Sequence, residues 1–211
     1  METLRMIVVL TGVSAISALG LAAFNNHAQP IIKEAERSVM INRQLKKVIS
    51  SLESPDPCQD AEAGFDNDPS ENTVCVDGRE VYRCTKQEET VGFAFTSIGD
   101  NAYSGTITCL VGLSEDGVLK GLEIVKHAET PGLGSEMESC EWRGQMVGKG
   151  PKDMIWKVKS DGGNVDAISG ATISSRAVLS CVTKAQDFLK KNLSRIRESE
   201  PMGQNEECHA K

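Results

Sequence analysis

The most informative segment of this chain reads Asp166-Ala167-Ile168-Ser169-Gly170-Ala171-Thr172-Ile173-Ser174-Ser175. It places four hydroxyl side chains around one glycine, and apolar or small residues then recur at helical spacing as far as Leu189. This spacing predicts a helix of about four turns. Ser174 or Ser175 is expected to cap its first turn, because a short oxygen side chain can accept from the free amides there. The sequence thus predicts either hydroxyls at the positive end of a helix dipole, where an anion is stabilised, or an ordinary capped turn.

Alternating apolar residues ahead of this motif predict strands. The alternation runs from Val91 to Phe95 and again from Gly105 to Leu113. Asp116-Gly117 marks a turn, 118–125 supplies a return strand, and a shorter run at 154–158 precedes a turn at Gly162-Gly163. Strands followed by a closing helix indicate an α+β domain that begins near Val74. We expect a twisted, largely antiparallel sheet, covered on one side by packed helices.

A second motif follows the predicted return strand and reads His127-Ala128-Glu129-Thr130-Pro131-Gly132-Leu133-Gly134. Turn chemistry alone accounts for it, since proline fixes one backbone dihedral and glycine frees the next. A loop so rich in glycine can also approach a flat ring closely. Leu133 would then offer an apolar contact, and Thr130 and the backbone amides would offer polar ones.

Both motifs together resemble one family. Asp166-x-x-Ser169-Gly170-Ala171-Thr172 resembles the flavinylation motif of the FMN-binding subunits of bacterial respiratory pumps. These are the G subunit of the Rnf complex and the related C subunit of the sodium-translocating NADH:quinone reductase. Glu129 to Gly134 resembles the second hallmark of the family, and residues 4–11 resemble the start of a G subunit. The resemblance implies FMN joined to Thr172 through a phosphoester, with further cofactor contacts from Ser169, Gly170, Ala171, Ser175, Glu129, Thr130, Gly132, Leu133 and Gly134.

The roles expected within the two motifs differ. Glu129 is expected to stabilise its loop or to cap a nearby backbone amide, and no residue is expected to act in catalysis. Asp166, Ser169 and Gly170 are expected to serve mainly as the recognition signal for a flavin transferase. Thr172 is expected to be a tether whose hydroxyl takes no part in turnover.

The amino-terminal region suggests an anchor. Residues 6–24 carry no charge and would span about 28 Å as a helix, close to the thickness of a bilayer core. A cleaved signal peptide is the alternative. We expect a transmembrane anchor over 1–27, an amphipathic stalk helix and linker over 28–57, the FMN-binding domain over 58–195 and a disordered tail over 196–211. Charge leaves the orientation open, and the resemblance implies a single-pass protein of the inner membrane with its main domain on the extracytoplasmic side.

The net charge argues against one class of protein, and the cysteine spacing argues against one class of site. The formal net charge of −7 argues against a nucleic-acid-binding protein. The seven cysteines form no Cys-x-x-Cys pair, so we expect no metal site. Cys58, Cys75 and Cys84 are the better candidates for disulfides, with pairing left open, whereas Cys109 and Cys181 lie on apolar faces and are expected to be buried thiols.

The resemblance implies an electron-carrier subunit of a membrane-bound, ion-translocating ferredoxin:NAD oxidoreductase, with no substrate site of its own. Its expected partners are the other membrane subunits, a flavin transferase during maturation and membrane lipid. The short chain and the close spacing of the two motifs favour the G subunit over the C subunit. The alternatives are a related quinone reductase subunit, a membrane-anchored regulator, or a flavin-free, disulfide-stabilised secreted binding module.

Overall fold

The computed structural model describes residues 43–48, 72–86 and 89–202, together with Cys208 and scattered positions among the first 25 residues. The chain divides into two compact units, Met1–Ile41 and Asn42–Lys211. The described positions between 2 and 25 are helical. Within the described parts of the chain, no helix is both long enough and apolar enough to span a bilayer. Much of the predicted anchor, most of the predicted stalk and Cys58 lie outside the described residues.

The second unit is built on a five-stranded antiparallel sheet whose strands follow one another in chain order. The strands are β1 (Thr73–Val76), β2 (Arg79–Lys86), β3 (Glu89–Ala102), β4 (Gly105–Leu113) and β5 (Leu119–Lys126). Asp77 and Gly78 join β1 to β2 with φ angles of 51° and 71°, the left-handed values that a tight hairpin turn requires. The strands predicted over 91–95, 105–113 and 118–125 are confirmed. The run at 154–158 is not a strand, and its one ladder contact among the described residues is a single bridge between Val158 and Val165.

A 27-residue helix packs along one face of the sheet. A short helix, α1 (Cys140–Gly144), and 3-10 turns at Gly134–Glu138 and Lys159–Asp161 precede this helix, α2 (Thr172–Glu198). Gly99 of β3 lies against the backbone of Ala177, and a Cβ at Gly99 would also come within 2.9 Å of the Cys181 sulfur. The Ser97 hydroxyl donates to the Cys181 carbonyl at 2.8 Å. β3 therefore fixes where the first half of α2 lies.

The expectation of a sheet covered on one side is wrong. Residues 43–48 are helical, and Leu45 and Val48 are fully buried. Val48 contacts Gly112 of β4 on the face opposite α2, and the Gln44 side chain donates to the Ile124 carbonyl at 3.0 Å. The amphipathic pattern of this segment therefore covers part of the second face of the sheet.

The cysteines divide between bonds and buried thiols. Cys75 of β1 forms a disulfide with Cys208, and Cys140 is also disulfide-bonded. Cys84, Cys109 and Cys181 are free and buried, which confirms two predicted thiols and shows that the disulfide assignment of Cys84 is wrong. Cys84 lies in β2 with its side chain turned into the protein interior.

The carboxyl-terminal end of α2 extends into residues 196–211, which the sequence predicts to be a disordered tail. Residues 196–198 belong to α2, and Ile196 is fully buried. The Met202 amide donates to the Thr73 carbonyl at 2.7 Å, and the Cys208 disulfide lies further along. These contacts hold the described part of the segment against β1.

Candidate functional site

The fold brings the two sequence motifs into contact. The Ser174 hydroxyl, in the first turn of α2, donates a hydrogen bond to the Glu129 carboxylate. A Cβ at Gly170 would lie 2.9 Å from the Leu133 side chain, so the loop before α2 packs against the loop after β5. The candidate site is therefore one surface formed by two segments that are separated in sequence.

Glu129 lies beneath that surface and not on it. Its side chain is 6% exposed, and its second oxygen accepts from the Ser104 amide in the β3–β4 turn at 2.8 Å. The expectation that Glu129 caps a nearby backbone amide is confirmed. The Glu129 amide itself donates to Nδ1 of His127 at 3.1 Å, and the other ring nitrogen lies 2.8 Å from Glu138.

The four hydroxyls of the first motif have different environments. Ser175 is fully buried, accepts from the Ile168 amide at 2.9 Å and donates to the Ala171 carbonyl at 3.1 Å, while Ser174 is bound to Glu129. The side chains of Ser169 and Thr172 form no hydrogen bond with the described part of the chain. Of the four, these two hydroxyls remain available to a ligand.

The predicted N-cap is wrong because the helix begins earlier than expected. The N-cap is Ala171, whose side chain cannot accept a hydrogen bond, and Thr172 is the first helical residue. Ser174 and Ser175 already lie in the first turn. The first amides of a helix have no intrahelical acceptor. In α2 these amides lie close to the Thr172 side chain, and no capping side chain accepts from them.

Thr172 lies at the border between the protein interior and solvent. It is half-buried, between buried Ala171 and exposed Ile173. Gly170 has a φ of 75°, a left-handed value that allows the chain to turn sharply before the helix. Ser169 and Gly170 are exposed, so this loop presents its backbone to solvent.

The loop after β5 is exposed to solvent in its middle and buried at its end. Thr130, Gly132 and Leu133 are exposed, and the Leu133 side chain is 43% accessible. A Cβ at Gly132 would have no heavy atom within 4 Å, so the space above this glycine is open. Gly134 is buried against Glu129. Of the predicted contact residues in this motif, Thr130, Gly132 and Leu133 therefore lie at the surface. Glu129 and Gly134 lie beneath it.

The basic side chains nearest Thr172 in sequence are already paired. Arg176 makes two hydrogen bonds of 2.7 Å to Asp161, and Lys159 lies 2.8 Å from Asp166. The hydrogen bonds from Arg176 hold the pKa of Asp161 below its usual value. The Asp166 backbone accepts from the Trp142 indole at 2.7 Å and donates to Gln145 at 2.9 Å, which ties the motif to α1. No group of side chains within the described ranges could hold a metal ion.

Two residues, Ser104 and Ser174, have roles in the site that the sequence does not indicate. Ser104 supplies the amide that holds Glu129, and its neighbour Tyr103 is 73% exposed at the tip of the same turn. Ser174 was expected to be a cap and is instead the link between the motifs. Only the antiparallel pairing of β3 with β4 brings residue 104 here, and no local pattern reports it.

Comparisons with known proteins match this region. Residues 102–187 match the family model of the FMN-binding domain, a span that includes both motifs and Ser104. The G subunit of the ion-translocating oxidoreductase complex of Erwinia tasmaniensis is 37% identical over 115 residues, which cover 52% of this chain and 55% of that protein. The corresponding protein of Shewanella piezotolerans is 26% identical over 89% of this chain and 90% of its own length. This chain is a homologue of these G subunits.

The homologous region varies in extent. The chain spans about half the length of most of the G subunits that it matches, including the one from Escherichia coli O157:H7, where 38% identity extends over 53% of that protein. The crystal structure of NqrC from Shewanella oneidensis is 19% identical, with a TM-score of 0.47 over 68% of this chain and 81% of that one.

Proposed function

We propose that this chain is the electron-carrier subunit of a membrane-bound, ion-translocating ferredoxin:NAD oxidoreductase, with FMN joined through its phosphate to the Thr172 hydroxyl. The observation that carries the proposal is the state of the four hydroxyls in the first motif. Ser174 and Ser175 are held by Glu129 and by the backbone, whereas Ser169 and Thr172 are unbonded within the described residues. Of these two, only Thr172 lies at the first residue of α2.

The residues present fit a phosphate ester at Thr172. The first-turn amides and the dipole of α2 favour a negative group at this position, and no capping side chain competes for them. Arg176 and Lys159 are held by carboxylates, so little positive charge is available to retain a freely dissociating phosphate. A covalent bond would retain the cofactor where the surrounding charges do not.

The loop after β5 fits a flat aromatic ring. Gly132 leaves open space, and Leu133 and Ile173 are each 43% exposed beside the Gly170 turn, so both offer apolar surface. The Thr130 hydroxyl would bind a polar edge of the ring, whereas the Gly132 and Leu133 amides already donate to Ser135 and Thr130 within the loop. When bound, FMN would supply the one-electron chemistry that these side chains lack. The residues Ser169, Gly170, Ala171, Thr130, Gly132 and Leu133 are the proposed contacts, whereas Ser175, Glu129 and Gly134 act from beneath the surface.

The proposed setting is the extracytoplasmic side of the inner membrane. Disulfides persist in oxidising compartments, and the domain contains the Cys75–Cys208 bond. The uncharged residues 6–24 would supply the anchor in membrane lipid. The proposed partners are the other subunits of the complex and the flavin transferase that modifies Thr172. Copurification with such subunits from detergent extract would separate this proposal from a related quinone reductase subunit or a membrane-anchored regulator.

In-gel fluorescence tests the tether. The full chain is coexpressed with a flavin transferase, denatured and viewed under ultraviolet light after electrophoresis. Thr172→Val should abolish the fluorescent band, and Thr183→Val should retain it. Thr183 is the matched control because it is an exposed threonine of the same helix, bonded only to the Leu179 carbonyl. Fluorescence that survives Thr172→Val would contradict the assignment.

A further inference from the structure

We propose that Glu129 is a positioning residue whose buried carboxylate fastens the β3–β4 turn to the first turn of α2 and thereby fixes where Thr172 presents its hydroxyl. This inference rests on the proposed function for its purpose, because it concerns how the modified residue is held. Its structural part, the coupling of two distant segments through one carboxylate, can be measured without any cofactor.

Both oxygens of Glu129 are engaged by the protein. Oε1 accepts from the Ser104 amide at 2.8 Å, and Oε2 accepts from the Ser174 hydroxyl. With 6% of the residue exposed, little of the carboxylate remains open to a ligand or to water. Glu129 therefore acts on the site through its two partners.

Gly134 is packed closely against the carboxylate. A Cβ at Gly134 would lie 2.7 Å from Glu129 Cβ, 2.9 Å from Oε2 and 3.1 Å from the Ser174 hydroxyl. The loop backbone at residue 134 is therefore packed directly on the Glu129–Ser174 contact. Glycine is needed at this position because any larger residue would separate the loop from α2.

Loss of the carboxylate should loosen both of its partner segments. Ser174 lies two residues after Thr172 in the same helical turn, and Ser104 lies in the β3–β4 turn, where its amide binds the other carboxylate oxygen. Removing one partner of a buried, charge-assisted hydrogen bond leaves the other without compensation, which is costly. We expect Glu129→Ala to lower flavin incorporation by about tenfold or more, since the Thr172 loop would no longer be held in one conformation.

The experiment combines two measurements on the full chain. Hydrogen exchange by mass spectrometry, on protein made without the flavin transferase, reports peptides covering 101–106 and 168–176. Fluorescence per mole of protein, after coexpression with the transferase, reports incorporation. Glu129→Ala should accelerate exchange in both peptides, whereas Ser174→Ala should do so only in 168–176, because the Ser104 contact remains. Glu129→Gln keeps an acceptor oxygen and should recover part of both signals.

Glu136→Ala is the matched control, because Glu136 is an exposed carboxylate on the 3-10 turn that follows the same loop. It should match the wild type in both measurements. The inference is overturned if the wild type takes up flavin and Glu129→Ala equals it in exchange and incorporation. If Glu129→Ala does not fold, the segment-specific effect of Ser174→Ala decides. A wild type that takes up no flavin would contradict the proposed function alone, and the exchange data would still test the coupling.

Discussion

The hydroxyl of Ser174 donates a hydrogen bond to the carboxylate of Glu129, 45 positions earlier in the chain. This contact joins the first turn of α2 to the loop after β5, and Gly134 is packed against it. One consequence is that the two motifs form a single surface. A second is that Thr172, two residues before Ser174, has a defined position at the start of the helix.

Gly99→Ala should destabilise the domain by about 1–3 kcal/mol, as overpacking in a tight interior commonly does. The added methyl would collide with the Ala177 backbone and approach the Cys181 sulfur, so α2 would have to move away from β3. Urea unfolding followed by circular dichroism measures the change. Thr106→Ala, at an exposed position of β4, should stay within about 0.5 kcal/mol of the wild type. Equal stability of both variants would mean that α2 does not pack this closely.

Removal of the Cys75–Cys208 disulfide should lower the free energy of unfolding by about 2–5 kcal/mol, because the bond closes a long loop in the unfolded chain. Cys208→Ser and Cys75→Ser should have similar effects, and the double variant should cost little more than either single one, since one bond is lost in each case. Urea unfolding under non-reducing conditions measures all three. Additive losses in the double variant would show that the two cysteines act independently.

The three buried thiols should resist alkylation in the folded protein. Burial raises the pKa of the Cys84 thiol from 9.0 to about 12. The hydrogen bond with Cys181 and burial raise the pKa of Cys109 well above its usual value. Thiolate is the reactive form, so iodoacetamide at pH 8 should leave Cys84 and Cys109 unmodified until urea is added. Cys181 should be protected as well, because it is fully buried. Mass spectrometry of the labelled peptides counts them, and rapid labelling of the native domain would contradict their burial.

The buried Cys84 thiol makes stability depend on alkaline pH. Between pH 9 and about 12 the unfolded chain has lost the Cys84 proton and the folded chain retains it. The unfolded state then binds fewer protons, so the contribution of Cys84 is complete below pH 9 and is lost as the pH rises toward 12. Cys84→Ala should give a flatter profile of unfolding free energy over this range. A profile that is parallel to that of the wild type would mean that Cys84 does not titrate on unfolding.

The sequence predicted the elements whose patterns are local. The strands from Val91 and from Gly105, and the helix after Thr172, follow from periodicity. β2 is not predicted because charged residues interrupt its apolar pattern, and the polar sequence around Cys84 made this cysteine a candidate for a disulfide. Its pairing with β3 determines its burial. The run at 154–158 alternates like a strand, but the Lys157 amide instead bonds to Ile155 at 2.7 Å.

The sequence predicts the two motifs of the site but not the hydrogen bonds that connect them. Four hydroxyls beside a glycine indicate an anion site, but the sequence cannot show which of them are already bonded. Ser174 and Ser175 lost their expected roles because α2 begins at Thr172, and Ser104 enters only through the pairing of β3 with β4. Tertiary contacts therefore engage Ser174 and Ser175, and they leave the Ser169 and Thr172 hydroxyls available.

Mass spectrometry of the peptide containing residues 168–176 can detect FMN on Thr172 itself. The chain is isolated from its native membrane, or after coexpression with a flavin transferase, and digested without any treatment that cleaves phosphoesters. We expect this peptide to be heavier by the mass of FMN less one water, with fragmentation assigning the addition to Thr172. A peptide at its unmodified mass, in a protein without yellow colour, would contradict the account.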